Sequence, residues 1–334
     1  MKLEDVAKRA GVGIATVSRV LNDRPGVKKS TMARVLRAVE ELKYHPNLHA
    51  STLAKGESRT LGVIVSNLYN PFFCDVVQAI ESDALRHGYD LLLANTRHDV
   101  ALLTKSVRLM LRRRVTGLAA IVSELDESIL SDLIHAGVRT VLYDVGKPAP
   151  NVTTIKFDYR KGMRMLIDQL CALGHVRLAY ISAPSPLSPT EQRRQEFLEA
   201  IERRALMGRV VTPTMDGFAG GREATRELLR SDFSPTAILC VNDWIAVGAL
   251  RELRNQGLSA PQDISVTGFD NVSHAEFSCP SLTTIHIPRA TIGHLVFENL
   301  ISTTGTDLSP GREIIIDPEL VVRESTGVVT TTAR

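Results

Sequence analysis

From residue 60 onward, short apolar runs with the composition of buried strands alternate with longer amphipathic stretches. The runs are Leu61–Val65, Asp90–Ala94, Gly117–Val122, Arg139–Tyr143, Arg177–Ile181, Ala237–Val241 and Ile264–Gly268. Near-continuous apolar strands separated by helical stretches predict parallel sheets covered by helices on both faces. About 270 residues of this pattern exceed what one core holds, so two lobes are expected.

Residues 3–45 follow a different rule. Val6, Ala7 and Ala10 recur at helical spacing, and a Gly11-Val12-Gly13 break follows. Thr16, Val17, Val20 and Leu21 mark a second short helix over Ile14–Leu21. A third helix is expected after Ser30 as N-cap, with Val35, Leu36, Val39 and Leu42 on one face. Pro46 ends it, and residues 47–55 form a connector. Two short helices around a glycine-containing turn describe a helix-turn-helix, whose second helix lies in the major groove. Turning Val17, Val20 and Leu21 inward leaves Ile14, Ala15 and Arg19 outward, with Thr16 and Ser18 beside them. Arg19 suits a guanine edge or a phosphate, and Ile14 and Ala15 suit a thymine methyl. Thr16, Ser18 and Asn22 suit phosphate oxygens.

Charge divides along the same boundary. The chain carries a net +3, but residues 1–58 hold eleven Lys and Arg against six Asp and Glu. The remainder holds 29 against 31. A basic head on a near-neutral body fits a polyanionic partner. The four cysteines, Cys74, Cys171, Cys240 and Cys279, form no CxxC pair, so neither a zinc knuckle nor a redox motif is indicated. Charged residues interrupt the N-terminus and no apolar run reaches about 18 residues, so a cytoplasmic protein without signal peptide or membrane span is expected. No GxSxG, GxxxxGK[ST] or HExxH occurs, and no enzyme, metal or cofactor is expected. His175 reads as part of a helix-to-strand connector, and Arg112–Arg114 as a solvated helix end.

The words LEDVAKRAGVGIATVSRVLN and VKKSTMARVLRAVEELKYHPN resemble the head of the lactose-repressor (LacI/GalR) family, and the resemblance runs on to the ELVVREST close. It implies an all-α helix-turn-helix head joined to an α/β two-lobed, periplasmic-binding-protein-like body with parallel sheets. The head would span 1–58, with a hinge helix at about 47–55. The body would span 60–328, its N-lobe from 60–157 and 287–315 and its C-lobe from 158–286 and 316–328. The DNA-facing set becomes Leu3, Ile14, Ala15, Thr16, Ser18, Arg19, Asn22, Ala50 and Leu53, with Leu53 in ASTLAKGES as a minor-groove wedge. Lys2, Gly13 and Ser51 depart from the family pattern and imply modest operator affinity.

For the body, the resemblance implies an effector cleft at strand ends. NPFF supplies Phe72 and Phe73, of which one faces the cleft; TVLYDVG supplies Asp144; TEQRRQEF supplies Arg193. DGFAGG supplies Phe218 as a stacking aromatic, VNDWIAVGAL supplies Asn242, and SVTGFDN supplies Asp270. Asp243 reads as the N-cap of the following helix. Carboxylates, an amide and an arginine around an aromatic suit a hydroxyl-rich ligand, a sugar or sugar acid. A single head has little contact area, so a homodimer on a palindromic DNA operator is expected.

Overall fold

The computed structural model describes residues 2–21, 24–44, 58–184, 187–302 and 310–329, in two units, Met1–Ser58 and Arg59–Arg334. Asn22, Ala50, Ser51 and Leu53 lie outside the described residues.

The N-terminal unit holds α1 (Leu3–Ala10), α2 (Ile14–Leu21) and α3 (Lys29–Glu41) around Val6, Ala7, Ala10, Val17, Val20, Val35 and Ala38. Gly11 ends α1 with φ 63, a left-handed conformation that costs a residue without Cβ little. The Val12 N–H then reaches the Ala7 carbonyl at 3.1 Å and the Gly11 N–H reaches that of Lys8 at 3.3 Å, a Schellman ending. Lys2 caps α1 with no side-chain bond of its own; Asp5 compensates by accepting the Lys2 N–H at 2.8 Å. Two expectations for α3 change. Its N-cap is Lys28, with Ser30 already inside the helix, and Leu36 is half-exposed while Ala38 is buried. The three-helix core is too small to enclose every apolar residue of α3.

The second unit is built on two parallel sheets. The first orders its strands β11-β5-β4-β3-β1-β2, with β1 Thr60–Val65, β2 Asp90–Asn95, β3 Gly117–Ile121, β4 Arg139–Tyr143, β5 Val152–Phe157 and β11 Arg312–Ile316. The second orders them β7-β6-β8-β9, with β6 Arg177–Ile181, β7 Met207–Val211, β8 Ala237–Cys240 and β9 Ser265–Thr267. A short antiparallel pair, β10 (Thr284–His286) and β12 (Glu319–Val321), completes the set. Helices α4 (Pro71–Arg86), α5 (Val100–Arg112), α6 (Glu127–Ala136) and α12 (Arg289–Ile301) belong to the first sheet. Helices α7 (Tyr159–Ala172), α8 (Ser188–Arg203), α9 (Gly217–Arg230), α10 (Asp243–Asn255) and α11 (Ser273–Phe277) belong to the second. The chain crosses between the sheets after β5, after β10 and after β11.

Every residue of β3 and β8 is buried, as two covered faces require. The strands without a strong sequence signal are β5, β7, β10, β11 and β12. Edge strand β7 (MGRVV) is half-exposed, and β5 (VTTIKF) mixes polar residues into its run, so neither has the uniform apolar signature of a central strand.

Candidate functional site

Two surfaces carry the candidate residues. On α2, Ile14 is 47% exposed, and Ala15 and Arg19 are exposed with it, while Val17 and Val20 are buried. Thr16 and Ser18 are half-buried at the flanks of this face. Leu3 is half-buried and packs against the core of the unit. The first turn of α2 has no acidic residue, so the positive end of its dipole is left to an outside anion.

In the second unit, a cavity of about 170 Å³ opens where the C-terminal ends of both sheets meet. Six of the seven expected residues line it: Phe72, Phe73, Asp144, Arg193, Asn242 and Asp270. The structure does not bring Phe218 there. Its ring packs edge-on against Trp244 at 5.7 Å and beside His274 at 5.8 Å, and Asp216, two residues earlier, lines the cavity instead. The turn before α9 is short, so the helix begins before the aromatic can reach inward.

The local sequence explains each placement. Asn70 caps α4 by accepting the Phe72 N–H at 3.0 Å, and Pro71 occupies the first helical position. That sets Phe72 inward against Tyr143 at 5.9 Å and leaves Phe73 half-buried at the cavity. Asn242, not Asp243, caps α10, accepting the Ile245 N–H at 2.8 Å. Asp243 is fully buried and accepts from the Val272 N–H at 2.8 Å and the Thr284 hydroxyl at 2.6 Å, so it ties α10 to the loop after β9 and to β10.

Arg193 is the organising charge. It is 6% exposed, and its guanidinium lies over two adjoining rings, Tyr159 at 4.7 Å and Phe269 at 4.8 Å, whose centroids are 5.8 Å apart. Nη1 donates to the Val241 carbonyl at 2.8 Å and Nε to that of Pro189 at 3.2 Å, with Asp270 Oδ1 at 3.8 Å. A buried charge needs this compensation.

Two acids sit in left-handed backbone, Asp144 with φ 61 and Asp270 with φ 110. Such strain on residues other than glycine persists only where the surroundings enforce it, and it concentrates at binding sites. Burial pushes the Asp144 carboxyl up to about 7, against the lowering effect of the Tyr159 hydroxyl and the Phe157 N–H, which donates at 3.0 Å. Burial likewise pushes Asp270 up to about 7, opposed by Arg193 and Arg289. Nearby, burial pushes the Glu124 carboxyl up, but hydrogen bonds from His98, Ser66, Thr96 and the Ser123 N–H outweigh it and bring it to about 2. Arg289 binds the two halves of the site together. Its Nε donates to Asp75 on α4 at 2.9 Å, and its Nη2 to the Asn271 carbonyl after β9 at 2.7 Å.

Sequence reasoning missed Tyr143, Tyr159, His98, Asp216 and Arg289. Tyr159 follows a strand end at Phe157, the same signal that marked Asp144 and Asp270, but β5 was itself unmarked.

Residues 2–47 match the family model for bacterial regulatory proteins of the lacI family, and residues 167–326 match that for the periplasmic binding protein-like domain. The regulator GalR of Salmonella typhimurium is 32% identical over 332 residues, covering 99% of this chain and 97% of the relative. The chain belongs to the lacI family. This lacI-family protein is also 30% identical to the repressor PurR of Aliivibrio salmonicida over 326 residues, covering 97% and 98% of the two chains. Its fold is similar to that of the Lac repressor dimer bound to operator and the anti-inducer ONPF, with a TM-score of 0.83, 29% identity, and coverage of 98% and 99%. Among the described residues, no helix of the lacI-family chain is long and apolar enough to cross a membrane.

Proposed function

We propose that this transcriptional regulator is a repressor that binds a palindromic operator as a homodimer, and that a small polyhydroxylated effector in the cavity controls its grip. The observation that carries the effector site is Arg193, buried against two rings and bonded to two carbonyls, with three carboxylates around the same cavity. Arg193 Nη2 is the donor that these bonds leave to a ligand. Carboxylates accept from hydroxyls, and the half-buried Phe73 gives an apolar sugar face a partner. The excess of Asp144, Asp216 and Asp270 over one guanidinium favours a neutral sugar over a sugar acid, because a ligand carboxylate would meet like charge.

In this reading Ile14, Ala15 and Arg19 face base edges, Thr16 and Ser18 face phosphates, and Leu3 supports α2 from the core. Asn22, Ala50 and Leu53 join the DNA-facing set by family resemblance. The likeness to a repressor dimer on its operator supports the two-fold arrangement, which doubles the contacts of a single small head. In this reading the DNA-binding regulator is cytoplasmic. The body is read as an N-lobe of 60–157 and 287–315 and a C-lobe of 158–286 and 316–328, with effector binding between them relieving repression.

Selection of bound duplexes from a random pool, followed by gel-shift titration with neutral sugars, sugar acids and nucleobases, tests this. A selected palindrome released by a neutral sugar is the expected result. Binding confined to nucleobases would overturn the effector assignment, and corepression would reverse the sign of the switch.

A further inference from the structure

The first sheet differs in charge between its two ends. The cavity occupies the C-terminal ends of its strands. At the opposite end stand Arg59 before β1, Arg112, Arg113 and Arg114 where α5 turns into β3, Arg139 opening β4 and Arg312 opening β11. Register fixes the grouping: Thr60 pairs with Asp90, Leu61 with Gly117, Gly117 with Arg139, and Arg312 with Thr153. The Thr116 N–H donates to the Thr60 carbonyl at 2.8 Å, which holds the Arg114 turn beside the start of β1.

These arginines have few partners. Arg112, Arg113, Arg114 and Arg139 enter no ion pair among the described residues, and the first three are exposed. Arg59 lies over the Tyr89 ring at 5.8 Å, and Arg312 Nε donates to Asn299 Oδ1 at 2.9 Å. Asp90 is the carboxylate that this register brings alongside, and Glu313, one residue along β11, is already bound to Lys156 at 2.6 Å. The free carbonyls at a helix C-terminus favour nearby cations, which accounts for Arg112 and Arg113. The same field reaches Arg139, two residues after Gly137 closes α6, and Arg312, bound to Asn299 in the last turn of α12, so helix ends gather these cations here without neutralising them. Guanidinium groups that outnumber the carboxylates beside them repel one another, and an external polyanion relieves the repulsion.

We propose that this edge is an accessory surface for the phosphate backbone of duplex DNA, resting on the reading that the N-terminal unit binds DNA. Two observations select duplex DNA as the partner. Guanidinium groups match phosphate in charge and fork geometry. In addition, β1 opens on this edge at Thr60, two residues along the chain from Ser58, the last residue of the helical unit.

The test uses the full chain and a mixed-sequence duplex, with affinity measured by fluorescence anisotropy over a range of salt. Arg112→Gln/Arg113→Gln is compared with Arg251→Gln/Arg254→Gln, an equal charge change on exposed positions of α10. The first pair is expected to flatten the slope of log K against log salt by roughly 1.8, about 0.9 per phosphate contact. Its affinity at low salt should fall several-fold, while the control pair retains the wild-type slope. Equal slopes for both variants would overturn the surface alone. A wild-type chain that binds no duplex would overturn the DNA reading as well. Labelled polyglutamate held more tightly than duplex, with the first pair abolishing that preference, would reassign the edge to an acidic protein.

Discussion

Arg193 illustrates how much one side chain carries here. Its guanidinium uses ring faces and carbonyls that an ammonium group cannot match in shape. Arg193→Lys should keep the fold and weaken effector binding by roughly 30-fold or more, since truncating a buried hydrogen-bonded charge costs about 2–5 kcal/mol. Calorimetric titration reads the loss, and circular dichroism checks the fold. The acids make a second prediction. Asp144 is raised from an ordinary aspartate value to about 7, so its contribution to stability is present below about 4 and is lost as pH rises through 7. Glu124 is lowered to about 2, so its contribution is present above its ordinary range and is lost as pH falls through 2. Asp144→Asn should therefore melt higher than wild type at pH 8, by a few degrees, and lose that advantage at pH 4. Thermal melts at the two pH values decide it. Asp144 and Asp270 were legible because they follow apolar strands, whereas Asp216 and Glu124 were not; the left-handed backbone and burial of the first two come from distant packing.

At the scale of elements, α9 and α10 pack with backbones in close approach. A Cβ on Gly221 would lie 2.1 Å from the Ile245 carbonyl oxygen, and one on Gly248 2.3 Å from that of Phe218. Neither backbone has room to yield. Gly221→Ala should cost about 3 kcal/mol, at the upper end of overpacking effects, as read by denaturant unfolding. The DGFAGG words pointed to Phe218 as a cleft aromatic, but only the packed pair explains the glycines of this helix and why Phe218 turns toward Trp244 rather than the cavity. On α2, Arg19→Ala should lower operator affinity. If Arg19 meets a base, specificity relaxes at one position by about 1–3 kcal/mol; if it meets a phosphate, the salt slope falls by about 0.9 with specificity intact. Binding across a panel of single-base variants separates the two. The elements themselves were readable where burial is uniform, as in β4 and β6, whose bounds match the apolar runs residue for residue. The edge strands β7 and β11 escaped because most of their residues reach water and their sequences follow no uniform apolar rule, whereas the apolar runs at edge strands β2 and β9 were legible.

Across the whole molecule, control by a ligand is a difference in its affinity for two arrangements of the halves of the body. Such coupling is typically about 1–3 kcal/mol, and it is reciprocal. The effector should weaken operator binding by roughly 5- to 150-fold, and operator should weaken effector binding by the same factor. Gel shift and calorimetry measure the two sides independently, and unequal factors would exclude simple linkage. Arg289 spans the halves from Asp75 to the Asn271 carbonyl, so Arg289→Met should change this factor more than it changes operator affinity without effector.

The order of residues alone determined the small helical head, the parallel-sheet body and the chemistry gathered at strand ends, because covered sheets demand apolar runs and a groove-reading helix demands a split between inward and outward faces. Tertiary structure decided which of those residues meet. Asn242 rather than Asp243 closes the helix, Tyr159 joins Arg193, and Phe218 is turned aside. Arg59, the Arg112–Arg114 run, Arg139 and Arg312, separate in the chain, come to one edge of the first sheet. Contact across two sheets depends on register and crossover, and no local pattern records either.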